Sequence, residues 1–211
     1  MDTKKSLQKY LEELSSNSPT PGGGNVAALC GALSASLGTM VCNLTIGKKK
    51  YLDVETEMNE MKVKLNVYVD KFISLAKYDN EAFERVMDAF KLPKETDEQK
   101  KLRIEAIEKS TLEAASVPAD VIKNCREIIP LLETISKKGN QNSLSDAGVA
   151  VAVIAAASEG AFLNVLINYS SLSEKQKAVK LLTQAENLNN EVKEEARYIL
   201  DAISSKIREN Y

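Results

Sequence analysis

The feature that most constrains the fold is a line of apolar residues that recurs through residues 58–90 at steps of three and four. This spacing places side chains on one face of an α-helix and does not fit the alternation of a half-buried strand. We therefore predict a long helix that Asp53 caps and that runs to about Phe90. One position in the line, Asp79, is acidic. The line consists of Met58, Met61, Leu65, Tyr68, Phe72, Leu75, Asp79, Phe83, Val86 and Phe90.

The remainder of the chain also has helical periodicity, and no stretch has a useful strand pattern. Helices are predicted over residues 7–14, from residue 96 toward Pro118, on to Gly139, over residues 144–169, and from residue 173 onward. Pro118 should kink or restart its helix. The fold class is therefore all-α, an antiparallel bundle of long helices forming a single domain over residues 1–211. Capping-box pairs mark three of the helix starts: Thr96 with Gln99, Ser143 with Asp146, and Ser173 with Gln176.

Residues 25–47 contain no charged side chain. A stretch of this length could span a membrane. It is rich in Ala, Gly, Ser and Thr rather than large aliphatic residues, which favours a buried central helix that its neighbours approach closely. We therefore predict a buried helix and no membrane association.

Composition excludes several classes of protein. The 211 residues carry a net charge of −2, and without a basic excess we expect no nucleic-acid partner. The three cysteines are scattered and the N-terminus lacks an apolar signal stretch, so we expect a reduced, cytoplasmic chain. No histidine is present, which makes a zinc site improbable and leads us to expect no metal. Proton transfer near neutral pH would then need a shifted carboxylate, lysine, cysteine or tyrosine, or water.

Two segments are candidates for binding anions. Gly22, Gly23 and Gly24 precede the uncharged helix, where exposed backbone amides could hold an anion or polar ligand. The alternative is a flexible connector. Lys48, Lys49 and Lys50 follow the same helix and could bind carboxylates or phosphates, or could simply complement the helix dipole.

Asp79 is the candidate for proton transfer. A carboxylate on an apolar helix face is desolvated, which raises its pKa toward neutrality and suits a general acid or base. The alternative is a buried aspartate that is paired with a lysine or capped by backbone amides.

Polar residues near two later helices are further candidates. Asn140, Asn142 and Ser145 could hydrogen-bond a heteroaromatic ligand, although turn and cap chemistry explains the neighbouring Ser143 and Asp146 equally well. In the next helix, two asparagines four residues apart share a face, and in such an apolar helix they need a ligand, another helix or a subunit interface as partner. These are Asn164 and Asn168.

Taken in order, these segments resemble the cyclodeaminase domain of formiminotransferase-cyclodeaminase and its stand-alone relatives, the bacterial methenyltetrahydrofolate cyclohydrolases of this fold. The similarity covers almost the whole chain. Its most specific parts are the glycine-rich opening and the Asn-Val-Leu-Ile-Asn segment. The matching stretches are residues 19–28, 41–51, 79 with 81–83, 91–94, 115–118, 139–140 with 145–146, and 162–168.

The resemblance implies a homodimeric helical bundle whose substrate, a tetrahydrofolate derivative, binds in a cleft between helices. It implies that Asp79 is the active-site carboxylate and that Asp88 matches a second acidic position, although nine residues place Asp88 half a turn away. Lys48, Lys49 and Lys50 would hold the glutamate tail. The pterin side would be held by Gly22, Gly23, Gly24, Asn25, Asn140 and Asp146, and the further substrate-binding candidates are Pro21, Asn43, Asn142, Ser145, Asn164 and Asn168.

Two activities stay open within this resemblance. The stand-alone chain favours hydrolysis of 5,10-methenyltetrahydrofolate to 10-formyltetrahydrofolate. The alternative is a 5-formiminotetrahydrofolate cyclodeaminase that releases ammonia. A third possibility, from another class, is a non-catalytic helical interaction protein whose small-residue helices serve only assembly.

Overall fold

The structure is a computed structural model that describes residues 6–209, and this part of the chain is helical with no strand. The all-α prediction is therefore confirmed. Three short 3₁₀ turns, Lys49–Val54, Gln141–Ser143 and Lys175–Lys177, lie between the helices. The helices are α1 (Leu7–Leu14), α2 (Gly23–Thr45), α3 (Glu55–Phe90), α4 (Asp97–Lys138), α5 (Leu144–Ser171) and α6 (Val179–Arg208).

Four helices form a closed ring around the core. α2 packs between α3 and α5, α4 completes the ring on the opposite side, and α6 lies outside against α4 and α5. Neighbours in the ring run antiparallel, because the first turn of α2 meets the C-terminal halves of α3 and α5. Small residues let α2 approach its neighbours closely. A Cβ added at Gly38 would lie 2.8 Å from the methyl groups of both Leu65 and Leu132.

The uncharged segment forms the helix that the sequence predicted, and that helix is central. Twelve residues of α2 are buried, and the hydroxyl of Ser34 donates to the Ala150 carbonyl of α5 at 2.7 Å. By length and composition alone, both α2 and the segment Gln141–Ser171 could cross a bilayer. The packing of α2 against α3, α4 and α5 accounts for its buried small and apolar residues without one.

Several helix ends differ from the sequence-based prediction. Asp53 is not a cap, because the 3₁₀ turn Lys49–Val54 takes up this region and α3 begins after Val54. The Ser143 side chain makes no capping hydrogen bond, since the Gln141–Ser143 turn leads directly into α5. The pair Ser173 and Gln176 does not start the last helix, which begins at Val179 after another turn.

The fourth helix also differs from the prediction. α4 runs unbroken for 42 residues through Pro118 and Pro130, so no helix ends or restarts at Pro118. Pro118 is buried, and packing against the rest of the ring outweighs the one backbone hydrogen bond that a proline removes. The start of α4 agrees with the prediction, because Thr96 and Gln99 form a reciprocal capping box.

Candidate functional site

A cleft lies at one end of the ring because the neighbouring helices α3 and α5 extend beyond the residue where α2 begins. α3 continues for about three turns past Asp79, and α5 for about two turns past Asn164, whereas α2 begins at Gly23. The space above the first turn of α2 has a volume of about 380 Å³, within the range of small-molecule sites. Its lining residues are Pro19, Thr20, Gly22, Gly23, Gly24, Asp79, Phe83, Val86, Met87, Phe90, Ile107, Thr111, Ala114, Asn164, Ile167, Asn168 and Ser171.

Asp79 lies on the floor of this cleft, against the start of α2. The backbone N–H of Asn25 donates to its carboxylate, which therefore caps α2 from a neighbouring helix. Gly22, at the N-cap position, has no side chain that could do so. The approach requires a glycine at position 24, because a Cβ there would lie 2.7 Å from Asp79 Cγ and 2.9 Å from its Oδ2.

The environment of Asp79 raises the pKa of its carboxyl above the usual range. Burial is the main cause, and the hydrogen bond from the Asn25 backbone N–H opposes it by stabilising the charged form. The side chain is only half-buried and faces the cleft. Asp79 therefore fits both interpretations of the sequence. A backbone amide caps it, and it is also a desolvated carboxylate that a ligand in the cleft can reach.

The Asn25 side chain bonds to other parts of the fold at this site, whereas the sequence led us to expect that it would contact a ligand. Its side chain is fully buried. Its Oδ1 accepts from the Tyr10 hydroxyl at 2.9 Å, and its Nδ2 donates to the Ala76 carbonyl at 2.6 Å and to Asn80 Oδ1 at 3.3 Å. These bonds fix the first turn of α2 against α1 and α3, and so fix the N–H that holds Asp79.

Asn164 and Asn168 lie on the α5 wall of the cleft. The Asn164 amide Nδ2 donates to the Gly160 carbonyl at 2.8 Å, and the Asn168 Nδ2 donates to the Asn164 carbonyl at 3.0 Å. Among residues 6–209 no donor reaches either Oδ1 atom, which leaves two carboxamide oxygens for hydrogen bonds from a ligand in the cleft. Pro21 follows a cis peptide bond in the adjacent loop but is not a lining residue.

The structure gives Asp88 no place in the cleft. Its side chain is 73% exposed and forms an ion pair with Lys91 at 2.9 Å. The half-turn offset from Asp79 along α3 explains this, because it directs Asp88 to the outer surface of the helix.

The other predicted binding residues lie at the opposite end of the bundle, about 30 Å away along α2. Asn140 is buried there, with its N–H donating to Thr45 Oγ1 at 2.8 Å and its Nδ2 donating to the Leu44 carbonyl at 3.0 Å. Its Oδ1 accepts from the Asn142 N–H, so both polar atoms of the Asn140 side chain already have a partner within the fold. Asn43, Lys48, Lys49, Lys50, Asn142 and Ser145 are exposed at this end, and Asp146 is half-buried.

Sequence reasoning missed several residues that build the cleft. Tyr10 had no sequence signal beyond its place in the helix predicted over residues 7–14. The α4 wall, made by Ile107, Thr111 and Ala114, had no sequence signal of its own. The α3 wall did have one, because the apolar line continues past Asp79 through Phe83 and Val86, where no α2 residue covers it. Within residues 6–209 no three His, Cys, Asp or Glu side chains are grouped so that they could hold a metal ion.

Comparisons with known proteins agree with the family resemblance of the sequence and with the fold. A family model described as formiminotransferase-cyclodeaminase matches residues 6–187. A methenyltetrahydrofolate cyclohydrolase from Methylorubrum extorquens is 40% identical over 207 residues, which is 98% of this chain and 100% of that protein. Formimidoyltransferase-cyclodeaminase of Rattus norvegicus is 29% identical over 95% of this chain, and the match spans 37% of the rat protein. The crystal structure of formiminotetrahydrofolate cyclodeaminase from Thermotoga maritima matches with a TM-score of 0.81 and 32% identity, covering 95% of this chain and 98% of that one.

Proposed function

The chain belongs to the formiminotransferase-cyclodeaminase family, and on this premise we propose that it hydrolyses 5,10-methenyltetrahydrofolate to 10-formyltetrahydrofolate. The observation that carries the proposal is the placement of Asp79, a half-buried carboxylate on the floor of a cleft of ligand size. The similarity to the Methylorubrum extorquens cyclohydrolase over the whole length of both chains supports this choice of reaction.

The charge of the substrate explains why a carboxylate belongs here. The methenyl bridge between N5 and N10 is part of a cyclic amidinium cation. A carboxylate beside it, in a site largely withdrawn from water, stabilises that charge more strongly than it would in solvent. The Asn25 N–H holds the carboxylate in position before the substrate arrives, so little reorganisation is needed.

Hydrolysis then needs one positioned proton carrier. Water attacks the bridging carbon while Asp79 accepts a proton from it, which gives a neutral tetrahedral carbon bearing a hydroxyl group. The bond from that carbon to N5 breaks, N5 takes up a proton, and the hydroxyl proton leaves as the formyl carbonyl forms on N10. Asp79 carries these protons in sequence, and its raised pKa suits it to both accepting and donating.

The remaining cleft surfaces suit a heteroaromatic substrate. Phe83, Val86 and Ile107 offer apolar walls for a planar ring. The free Oδ1 atoms of Asn164 and Asn168 face the same space and can accept from pterin N–H groups.

A second candidate reaction is the cyclodeamination of 5-formiminotetrahydrofolate, favoured by the similarity to the Thermotoga maritima protein. In that reaction N10 attacks the formimino carbon, and ammonia leaves after it is protonated. The same carboxylate would serve as the proton donor.

We also propose that the protein is a cytoplasmic homodimer. The three free cysteines support a reducing compartment, and the exposed uncharged faces of α2 and α5 support self-association.

The decisive test follows the absorbance of the methenyl species. Purified protein is supplied with methenyl-folate or with formimino-folate, and ammonia is measured in the second case. We expect rapid loss of methenyl-folate. Asp79→Asn should lower turnover by ~10²-fold or more. The matched control is Asp70→Asn, an exposed aspartate on the same helix, which should retain wild-type turnover. A protein that turns over neither substrate, or an Asp79→Asn variant of normal activity, refutes the proposal.

A further inference from the structure

The cleft as one chain forms it is incomplete for the proposed substrate. Folates carry a glutamate tail with two or more carboxylates, whereas the described lining residues include no lysine or arginine and do include the acidic Asp79. A site that binds such a tail normally supplies cations for it. Among residues 6–209, Arg103 of α4 reaches the lining residue Phe90, where its guanidinium already donates to the Phe90 carbonyl at 3.1 and 3.2 Å.

Unpaired cations are present at the other end of α2. Lys48, Lys49 and Lys50, which we call the lysine triplet, are all exposed, and none forms an ion pair with a residue in the range 6–209. The Lys50 ammonium lies 5.5 Å from the centroid of the neighbouring Tyr51 ring. Gly47 precedes them at φ 76°, a conformation that favours glycine and turns the chain at the end of α2. Beside the triplet, the Tyr51 hydroxyl accepts from the Gln141 N–H at 3.0 Å. The buried Oε1 of Gln141 receives no hydrogen bond within the part of the chain that the structure describes.

An uncharged surface connects the two ends. α2 carries no charged residue, and of the two acidic residues of α5, Asp146 is half-buried and Glu159 is not a free charge. Glu159 pairs with Lys193 of α6 at 3.0 Å. Seven large apolar side chains are 36% exposed or more along the two helices: Leu33, Met40, Leu44, Val149, Leu163, Leu166 and Ile167. Isolated exposed apolar residues are ordinary, whereas several on two adjacent helices that pack together are typical of an interface.

Pairing with a second copy of the chain would bury the exposed apolar surface and also bring cations to the cleft. Twofold symmetry about an axis perpendicular to α2, near its midpoint, pairs these faces and sets the start of one α2 beside the end of the other. The residues that follow the partner's α2 then extend over the gap where this α2 is missing. The other twofold arrangement, with the axis parallel to the helices, would bring two lysine triplets together, and like charges at an interface oppose association.

We propose that the folate site is composite, with the lysine triplet of a second copy binding the glutamate-tail carboxylates of a folate held in the cleft of the first. This inference rests on the proposed function and extends it, because it makes the dimer a requirement for substrate binding. Asp79 and the carboxamides come from one chain, and the cations come from the other.

Complementation between two defective chains tests this directly. One chain carries Asp79→Asn and the other carries Lys48→Ala, Lys49→Ala and Lys50→Ala, and the two are co-expressed with different tags. Random assembly makes about half of the dimers mixed, and in a composite arrangement one site of each mixed dimer is intact. The expected kcat/KM is about a quarter of the wild-type value. If each site belongs to one chain, both sites of every mixed dimer are defective, and an activity no higher than the mean of the two parents overturns the proposal.

Controls keep the possible failures apart. Lys64→Ala with Lys180→Ala removes two exposed lysines from α3 and α6 and should leave kcat/KM unchanged. The lysine-triplet variant alone should raise KM by at least tenfold with little loss of kcat, since it removes a contact made equally in the ground and transition states. Wild-type protein that is inactive on both substrates defeats the proposed function as a whole, whereas an active wild type without complementation defeats only the composite site.

Cross-linking gives a readout that does not depend on activity. Ile167→Cys in one chain and Lys49→Cys in another should be joined by a short bis-maleimide, because Ile167 is 62% exposed at the rim of the cleft. A Lys49→Cys to Lys49→Cys cross-link in its place would indicate the parallel arrangement and overturn the proposal. An active wild-type monomer at assay concentration, or a monomer that floats with phosphatidylcholine vesicles, would also overturn it.

Discussion

Replacing Gly24 with alanine tests whether the proposed catalytic carboxylate, Asp79, depends on its close approach to α2. The added Cβ would lie 2.7 Å from Asp79 Cγ, whereas non-bonded carbons rest at about 3.5–4.0 Å. The carboxyl group must therefore retreat by about 1 Å, which is enough to lose the Asn25 N–H and the reacting geometry. A misplacement of this size costs ~10²-fold in turnover.

The stability of the same variant should change much less. Overpacking costs about 1–3 kcal/mol, and replacing a helical glycine with alanine recovers up to about 1 kcal/mol. We expect a folded protein with a modestly lowered free energy of unfolding, measured by urea denaturation. Its turnover of methenyl-folate should nevertheless fall about a hundredfold.

Two matched substitutions separate the site from the fold. Gly148→Ala places a Cβ at 3.4 Å from Ile203, an ordinary contact remote from the cleft, and should leave turnover unchanged. In an Asp79→Asn background, Gly24→Ala should cause little further loss, because both changes remove the same function. A Gly24→Ala protein with turnover within twofold of wild type, or full additivity with Asp79→Asn, would refute the reasoning.

Three further predictions follow from the same contacts. Asp79→Asn should be more stable than wild type at neutral pH, because burial raises the pKa of the Asp79 carboxyl and a charged, desolvated group costs stability. This difference should shrink as the pH falls through that raised pKa toward the usual aspartate range, and a constant difference in thermal melts would contradict the assignment. Asp88→Asn should keep turnover within about twofold of wild type, because its carboxylate is solvated and removal of an exposed ion pair costs ~0–1 kcal/mol. A loss of turnover comparable to that of Asp79→Asn would show that Asp88 belongs to the site. Tyr10→Phe should lower the free energy of unfolding by about 1–2 kcal/mol, because the buried Asn25 Oδ1 loses its donor, whereas the exposed Tyr78→Phe should have no measurable effect in the same urea titration.

The fold was largely predictable from the sequence because helical periodicity extends through most of the chain. The apolar line of residues 58–90 marked both α3 and its acidic interruption, and that interruption lies in the cleft. The helix ends were harder to predict. Asp53 and Ser143 have the side chains of N-caps, but short 3₁₀ turns made by neighbouring residues set the starts of α3 and α5. Pro118 shows the same limit, since tertiary packing decides whether a proline ends a helix.

The site was predictable residue by residue but not as an arrangement. Gly24, Asp79, Asn164 and Asn168 were singled out separately, and the structure brings all four to one cleft. The lysine triplet and Asn140 were assigned to the same substrate, although they lie at the far end of α2. For the lysine triplet the separation was implicit in the length of the uncharged helix, which Gly22 to Gly24 precede and the triplet follows. For Asn140 it depends on which helix ends share one end of the bundle.

The late start of α2 has a consequence for how such an active site can arise and be lost. The pocket occupies the volume that two or three more turns of one helix would fill, so the catalytic apparatus requires no cavity in the buried core. An insertion of about eight residues before Gly23, patterned to continue the helix, would seal the reaction chamber while leaving the remaining scaffold intact. The size of the ligand that this cleft admits is therefore set by the length of one helix at its N-terminal end.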